Sequence, residues 1–162
     1  MQLNHAGRQT QKMINRHPFA PSDIGLKMGN GRFGTPVPMS EDEIERTVAA
    51  FAHAASIAEQ TGFDGVQVHA AHGYLTSQFL SPLSNRRTDR WGGSLENRAR
   101  FLLEVIRRVR GATRSKFIVA VKLNSADFQR GGFSEEDSAT VAGWLQQAGV
   151  DFIEVSGGNY EQ

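Results

Sequence analysis

The chain has 162 residues, enough for one domain and short for two. Its 39% hydrophobic content excludes intrinsic disorder, and 18 basic against 17 acidic side chains leave a net charge of +1, with no long-range field for nucleic acid, an anionic membrane or an acidic substrate. Within this stretch the absence of cysteine excludes disulfides, thiolate metal sites and a cysteine nucleophile, and no apolar run approaches the roughly 18 residues of a membrane span.

Met1-Gln2-Leu3-Asn4-His5 is extended in character and lacks the apolar core of a signal peptide, so a cytoplasmic location is the expectation. Residues 5–39 hold Pro18, Pro21, Pro36 and Pro38 and show no helical period; they read as a long, ordered loop after a strand, a place where function concentrates. Gly29-Asn30-Gly31-Arg32-Phe33-Gly34 is a literal GxGxxG, but it neither follows a strand directly nor opens a helix, so a turn around Asn30-Gly31 is expected instead of a dinucleotide fingerprint.

Residues 40–61 predict an amphipathic helix: Ser40 and Glu43 have capping-box spacing, Ile44, Val48, Phe51, Ala55 and Ala58 share one stripe, and Gly62 ends it. A strand follows over residues 63–69. Ser94 opens a second helix, with Leu95, Ala99, Leu102, Val105, Ile106 and Val109 at helical spacing until Gly111, and a second strand follows over 117–123. Ser134 with Asp137 starts a third helix through Val141 and Leu145 to Gly149, before a strand over 152–155. Strands alternating with helices of this length imply βαβ units and a parallel sheet. The sheet is either an open doubly wound one or part of a (β/α)8 barrel, and a whole barrel needs about 250 residues.

Polar residues that do not belong to a core gather at the carboxyl ends of these strands, where parallel α/β folds bind ligands. His69 is followed by His72 and Tyr74; Lys122 is followed by Asn124 and Asp127; Gln2 lies on the first strand, which ends near His5. Two histidines and a tyrosine within six residues suggest acid–base or oxyanion chemistry. HxxH without cysteine or an obvious carboxylate offers too few zinc ligands, so no metal is expected.

Residues 69–101, HAAHGYLTSQFLSPLSNRRTDRWGGSLENRARF, closely resemble the signature of the old yellow enzyme family of FMN-dependent NAD(P)H:flavin oxidoreductases. Residues 2–9 are similar to the family's third-strand segment and residues 121–128 to its fifth. The resemblance implies an α/β fold: a partial (β/α)8 TIM barrel of four parallel strands, equivalent to strands three to six, with outer helices, as one incomplete domain over 1–162. It also implies that FMN takes hydride from NAD(P)H and passes it to the activated C=C bond of an enone-type small molecule. His69 and His72 would hydrogen-bond the substrate carbonyl and Tyr74 would give the proton; these three form the expected catalytic and substrate-binding set. Gln2 and Lys122 would bind the flavin, Lys122 near N1 and O2, where many relatives have arginine. The phosphate grip of this fold comes after strands seven and eight, so weak FMN binding is expected of these residues alone.

Asn85, Arg87, Asp89, Trp91, Asn97 and Arg98 also match the signature and read as structural. The arginine-rich stretch over 86–114 reads as a solvated outer face, and no nucleic-acid or membrane partner is expected. Two rival readings remain: a non-catalytic truncated remnant, and a cofactor-independent barrel lyase or isomerase using His69 and Tyr74. The open edges of a half-barrel also suggest self-association.

Overall fold

The computed structural model describes residues 1–28 and 31–161. Four strands form one parallel sheet: β1 (Gln2–Leu3), β4 (Gly65–Ala70), β5 (Ile118–Asn124) and β6 (Phe152–Ser156), in the order β1-β4-β5-β6. Between them run α1 (Glu41–Gln60), α3 (Leu95–Ala112) and α4 (Glu135–Gln147). Strand neighbours follow chain order with no reversal, and the helices cover one face only, which selects the barrel arc over the doubly wound sheet.

Alternation along the strands produces this one-sidedness. Val66, Val68 and Ala70 of β4 and Val119, Val121 and Leu123 of β5 are buried beneath the helices. Gln67, His69, Lys122 and Glu154 stand on the opposite, barrel-inner face, brought into rows by the registers Gln2↔Gln67 and His69↔Lys122↔Glu154. The α1 stripe of Ile44, Val48, Phe51, Ala55 and Ala58 is fully buried, and Ser40 with Glu43 forms the expected capping box. Phe101 of α3 joins the layers, edge-on to Phe51 at 6.4 Å and stacked on Phe79 at 4.4 Å.

Three features depart from the sequence reading. The long loop contains a short 3-10 turn (Gly7–Gln9) and a parallel pair, β2 (Phe19–Ala20) with β3 (Val37–Pro38). A short helix, α2 (Leu75–Leu80), follows β4; all six of its residues are buried. The second predicted helix runs through Gly111 to Ala112. The turn expected at Asn30-Gly31 falls partly outside the described residues, while Phe33 bridges Gln11 and the chain continues into β3 with no helix opening there.

The signature residues hold this framework together. Arg87 donates to the carbonyls of Pro21 and Met39 at 3.1 and 2.6 Å and pairs with Asp89, which accepts from the Trp91 amide. Asn85 bonds the carbonyls of Phe79 and Trp91, both at 2.8 Å. Asn97 accepts from Arg100, and Arg98 bridges the carbonyl of Leu80, the carbonyl of Gly93 and Asp137. The outer arginines are more than a solvated face, since Arg90, Arg108, Arg110 and Arg114 pair with Glu41 and Glu45, Glu45, Asp151 and Glu59.

Candidate functional site

The chain leaves β4 through two consecutive left-handed residues, His72 at φ 58° and Gly73 at φ 73°. A histidine in this region is costly, of order 1–3 kcal/mol, and the conformation is held from outside: the His72 amide donates to Asn124 Oδ1 on β5 at 3.2 Å. This sharp turn brings three rings together. His69 lies 5.2 Å from His72 and 5.0 Å from Tyr74, centroid to centroid, both edge-on.

Gln78 fixes this turn against the loop after β1. Its side chain is fully buried, donates to the carbonyls of Ala6 and Gly73 and accepts from the Arg8 amide. The backbone approach needs glycine at position 7, where φ is +58° and a Cβ would come within 2.3 Å of Gln78 Oε1.

His69 is buried, and its Nδ1 accepts from the Ala71 amide at 3.2 Å. The neutral ring therefore carries its proton on Nε2. Burial, helped by His72 and the Lys122 cation, lowers its pKa from 6.5 to about 4, so it is a neutral donor at physiological pH. His72 is shifted down by burial and by the Lys122 cation, and its Nε2 shares a 2.6 Å hydrogen bond with Ser156 Oγ of β6. Tyr74 is half-buried; its hydroxyl lies 3.1 Å from that of Tyr160, and this bond, with burial, raises the Tyr74 pKa above the ordinary 10. Tyr74 keeps its proton at neutral pH.

In the same row as His69, Lys122 Nζ pairs with Glu154 Oε1 at 2.8 Å; Glu154 Oε2 then accepts from Gln67 Nε2 at 2.8 Å, and Gln67 Oε1 accepts from Gln2 Nε2 at 2.8 Å. Lys122 stands beside His69 in register, whereas Gln2 lies one inner row nearer the amino ends. The four side chains form a continuous polar strip across the sheet. The hydrogen bonds from Lys122 and Gln67 hold the Glu154 pKa below the usual carboxylate range. An amide and a cation on one strip suit the pyrimidine edge of a flavin, which presents both donors and acceptors, so Gln2 and Lys122 fit the group the resemblance implies. Among the described residues, no three metal-ligating side chains lie close enough to share an ion.

Of the residues to which the sequence points, His69, His72, Tyr74 and Lys122 meet at this carboxyl mouth, and Gln2 lies one row further in. The sequence does not single out Glu154, Ser156, Tyr160 or Gln78 as site residues. Glu154 was discoverable from the alternation within Phe152-Ile153-Glu154-Val155, which puts a carboxylate on the inner face. The same alternation puts Ser156 on that face at the end of the strand, whereas Tyr160 carries no local signal.

A sequence model of the NADH:flavin oxidoreductase / NADH oxidase family matches residues 1–161. The NADH-dependent flavin oxidoreductase nadA of Aspergillus parasiticus is 42% identical over 163 residues, covering 99% of this chain and 36% of that protein. The NADPH dehydrogenase of Bacillus subtilis is 42% identical over 158 residues, covering 98% and 45%. Among solved structures, a 2-naphthoyl-CoA reductase in complex with 2-naphthoyl-CoA superposes with a TM-score of 0.93 at 32% identity, covering 99% of this chain and 26% of that one. Morphinone reductase superposes at 0.79 and 34% identity, covering 95% and 46%. The chain thus spans less than half the length of these relatives. Matched along its length and folded as four adjacent strands of a (β/α)8 barrel, the chain belongs to the NADH:flavin oxidoreductase / NADH oxidase family, the old yellow enzyme family.

Proposed function

We propose that these residues form the central part of an FMN-dependent NAD(P)H oxidoreductase that reduces the activated C=C bond of an α,β-unsaturated carbonyl compound. The observation that carries this reading is the triangle of His69, His72 and Tyr74, a neutral imidazole donor, a second imidazole and a protonated phenol facing one mouth. FMN, when bound, supplies the hydride that it has accepted from NAD(P)H.

The residues supply the remainder. His69 Nε2–H is preorganised by its Nδ1 bond to Ala71 and donates to the carbonyl oxygen, where negative charge develops as hydride reaches the β-carbon. His72, steadied by Ser156 and the Asn124 bond at its amide, is the second donor to that oxygen. Tyr74 gives its proton to the α-carbon and takes one back from solvent. Gln2 and Lys122 hold the pyrimidine edge of the flavin, with Glu154 balancing the Lys122 charge. Burial of His69 keeps it uncharged, so it acts as a hydrogen-bond donor and not as the acid.

The test is anaerobic. The FMN-loaded protein should lose its yellow colour with NADH or NADPH and regain it with 2-cyclohexenone, producing cyclohexanone. Bleaching without reoxidation by the enone would sink the ene-reductase assignment, and no bleaching would sink the oxidoreductase reading altogether. The partner proposal is self-association through the sheet edges, where Phe152 and Val155 of β6 are 54% and 70% exposed. Sedimentation velocity of the 162-residue chain tests it, and a monomer at micromolar concentration would dismiss it.

A further inference from the structure

A cleft of about 910 Å³ opens at the carboxyl mouth, and Tyr160 is part of its wall. Because the Tyr160 hydroxyl is 3.1 Å from that of Tyr74, the cleft begins one hydrogen bond from the proposed proton donor. Lys27, Arg86 and Arg130 line it, drawn from the loop after β1, the segment after α2 and the turn after β5. Among the described residues, the side-chain cations of these three make no ion pair and no hydrogen bond. Arg8, also in the wall, is buried and engages Glu161 at 2.5 Å and the carbonyls of Ile24 and Gly25. Among the described residues, Glu161 is the single acid lining the cleft, and its second oxygen accepts from the Lys27 amide at 2.9 Å. Four cations against one spoken-for carboxylate give the cleft a net charge of +3, in a chain whose total is +1.

The remaining wall is apolar and unusual. Phe128 holds a left-handed backbone, φ 55°, yet stays 62% exposed, so little burial offsets the cost. Its ring lies over Gly157, where a Cβ would come within 2.7 Å of it. Ile24 and Leu83 add further apolar wall. An aromatic face beside cations free to make charge-assisted hydrogen bonds suits a flat group bearing phosphates.

We propose that this cleft is a subsite for the phosphate-bearing end of an elongated reactant whose reacting end lies at Tyr74, with the phosphate oxygens between Lys27, Arg86 and Arg130 and a planar group against Phe128. The proposal rests on the reading of His69, His72 and Tyr74 as the reacting centre. Two reactants carry such an end: the pyrophosphate of the nicotinamide dinucleotide, or a nucleotide-bearing thioester on the alkene itself. Both share one recognition chemistry, charge-assisted hydrogen bonds from guanidinium to phosphate.

The experiment uses the full-length FMN-loaded protein that contains these residues. Inorganic pyrophosphate binding is measured by calorimetry at low ionic strength for wild type, for an R86A/R130A double variant and for R86K/R130K, with FMN content and thermal midpoint as the folding control. Wild type should bind saturably, the alanine pair should weaken binding at least tenfold, and the lysine pair should recover most of it. No saturable binding by wild type, or equal binding by the alanine pair, overturns the subsite; if the alanine pair fails to fold, wild-type binding and the lysine pair decide. KM values then identify the source. A tenfold rise for NADH or NADPH in flavin reduction assigns the dinucleotide, a tenfold rise for crotonyl-coenzyme A in flavin reoxidation assigns the alkene, and no rise in either overturns the proposal. Pyrophosphate binding needs no turnover, so it stands apart from failure of the ene-reductase reading.

Discussion

The hydroxyl of Tyr74, at the end of β4, sits 3.1 Å from the hydroxyl of Tyr160, beyond the end of β6. The two rings approach edge-on with centroids 6.3 Å apart, and Phe33 from the long loop stands 6.5 Å behind Tyr160. The bond raises the Tyr74 pKa, the direction expected when Tyr74 is the donor, because ionisation would forfeit it. Tyr160→Phe should therefore let the Tyr74 pKa fall towards 10, and the alkaline limb of alkene reduction should move to lower pH with it. Ultraviolet titration of tyrosinate and the pH–rate profile of flavin reoxidation read this directly. An unmoved limb would show that Tyr160 does not tune the donor.

His69 should stay neutral far below the usual histidine range. Its NMR ring resonances should be flat from pH 8 to about 5.5 and titrate with a midpoint near 4. The folded pKa lies below the unfolded value of 6.5, so the unfolded state binds the proton first as pH falls. The stability contributed by the neutral, buried ring is complete above pH 6.5 and is lost as pH falls through about 4. A midpoint at the unshifted value would remove the physical basis for a neutral donor.

Glu154 is the counter-charge of Lys122, and its hydrogen bonds to Lys122 and Gln67 keep it ionised at neutral pH. Glu154→Gln removes a negative charge from the strip proposed to face the flavin, so the midpoint potential of bound FMN should rise, by roughly 30 mV if the two-electron equilibrium shifts tenfold. The same variant should push the His69 midpoint lower still, since the carboxylate is the group that opposes its downward shift. Spectroelectrochemistry and the His69 titration test both; a fall in potential would mean that Lys122 turns away from the cofactor.

Arg98 should be a folding residue. It is 7% exposed and ties the Leu80 carbonyl at the end of α2, the Gly93 carbonyl and Asp137 of α4 into one knot. Arg98→Met strands those acceptors and should cost about 3 kcal/mol, while Arg98→Lys should recover little, because an ammonium cannot span three directions. Urea denaturation followed by circular dichroism measures both. A loss below 1 kcal/mol would mean that water replaces the guanidinium at no cost.

The sequence by itself determined the elements whose signals are local. Ser40 with Glu43, Ser94 and Ser134 mark helix starts because a capping bond reaches only three residues, and the stripes of α1 and α3 repeat with the helical turn. The parallel α/β class, the family resemblance and the positions of His69, His72, Tyr74 and Lys122 at strand ends were all readable in this way. α2 was not, since its six residues are too few to show a period and no side chain caps it; it is buried against β4, α3 and the turn at Gly7–Gln9. The element pattern alone left barrel arc and doubly wound sheet open; the family resemblance implied the arc, and the tertiary structure shows it, because the choice depends on which face each helix covers. Only β-strand register placed Glu154 against Lys122 and brought Ser156, at the end of β6, to His72 across 84 residues, and only the course of the chain beyond β6 set Tyr160 on Tyr74 across 86. The Glu154 and Tyr160 pairings tune proton affinity at the site, and none of the three has a sequence signature, because the groups meet only once the sheet has formed.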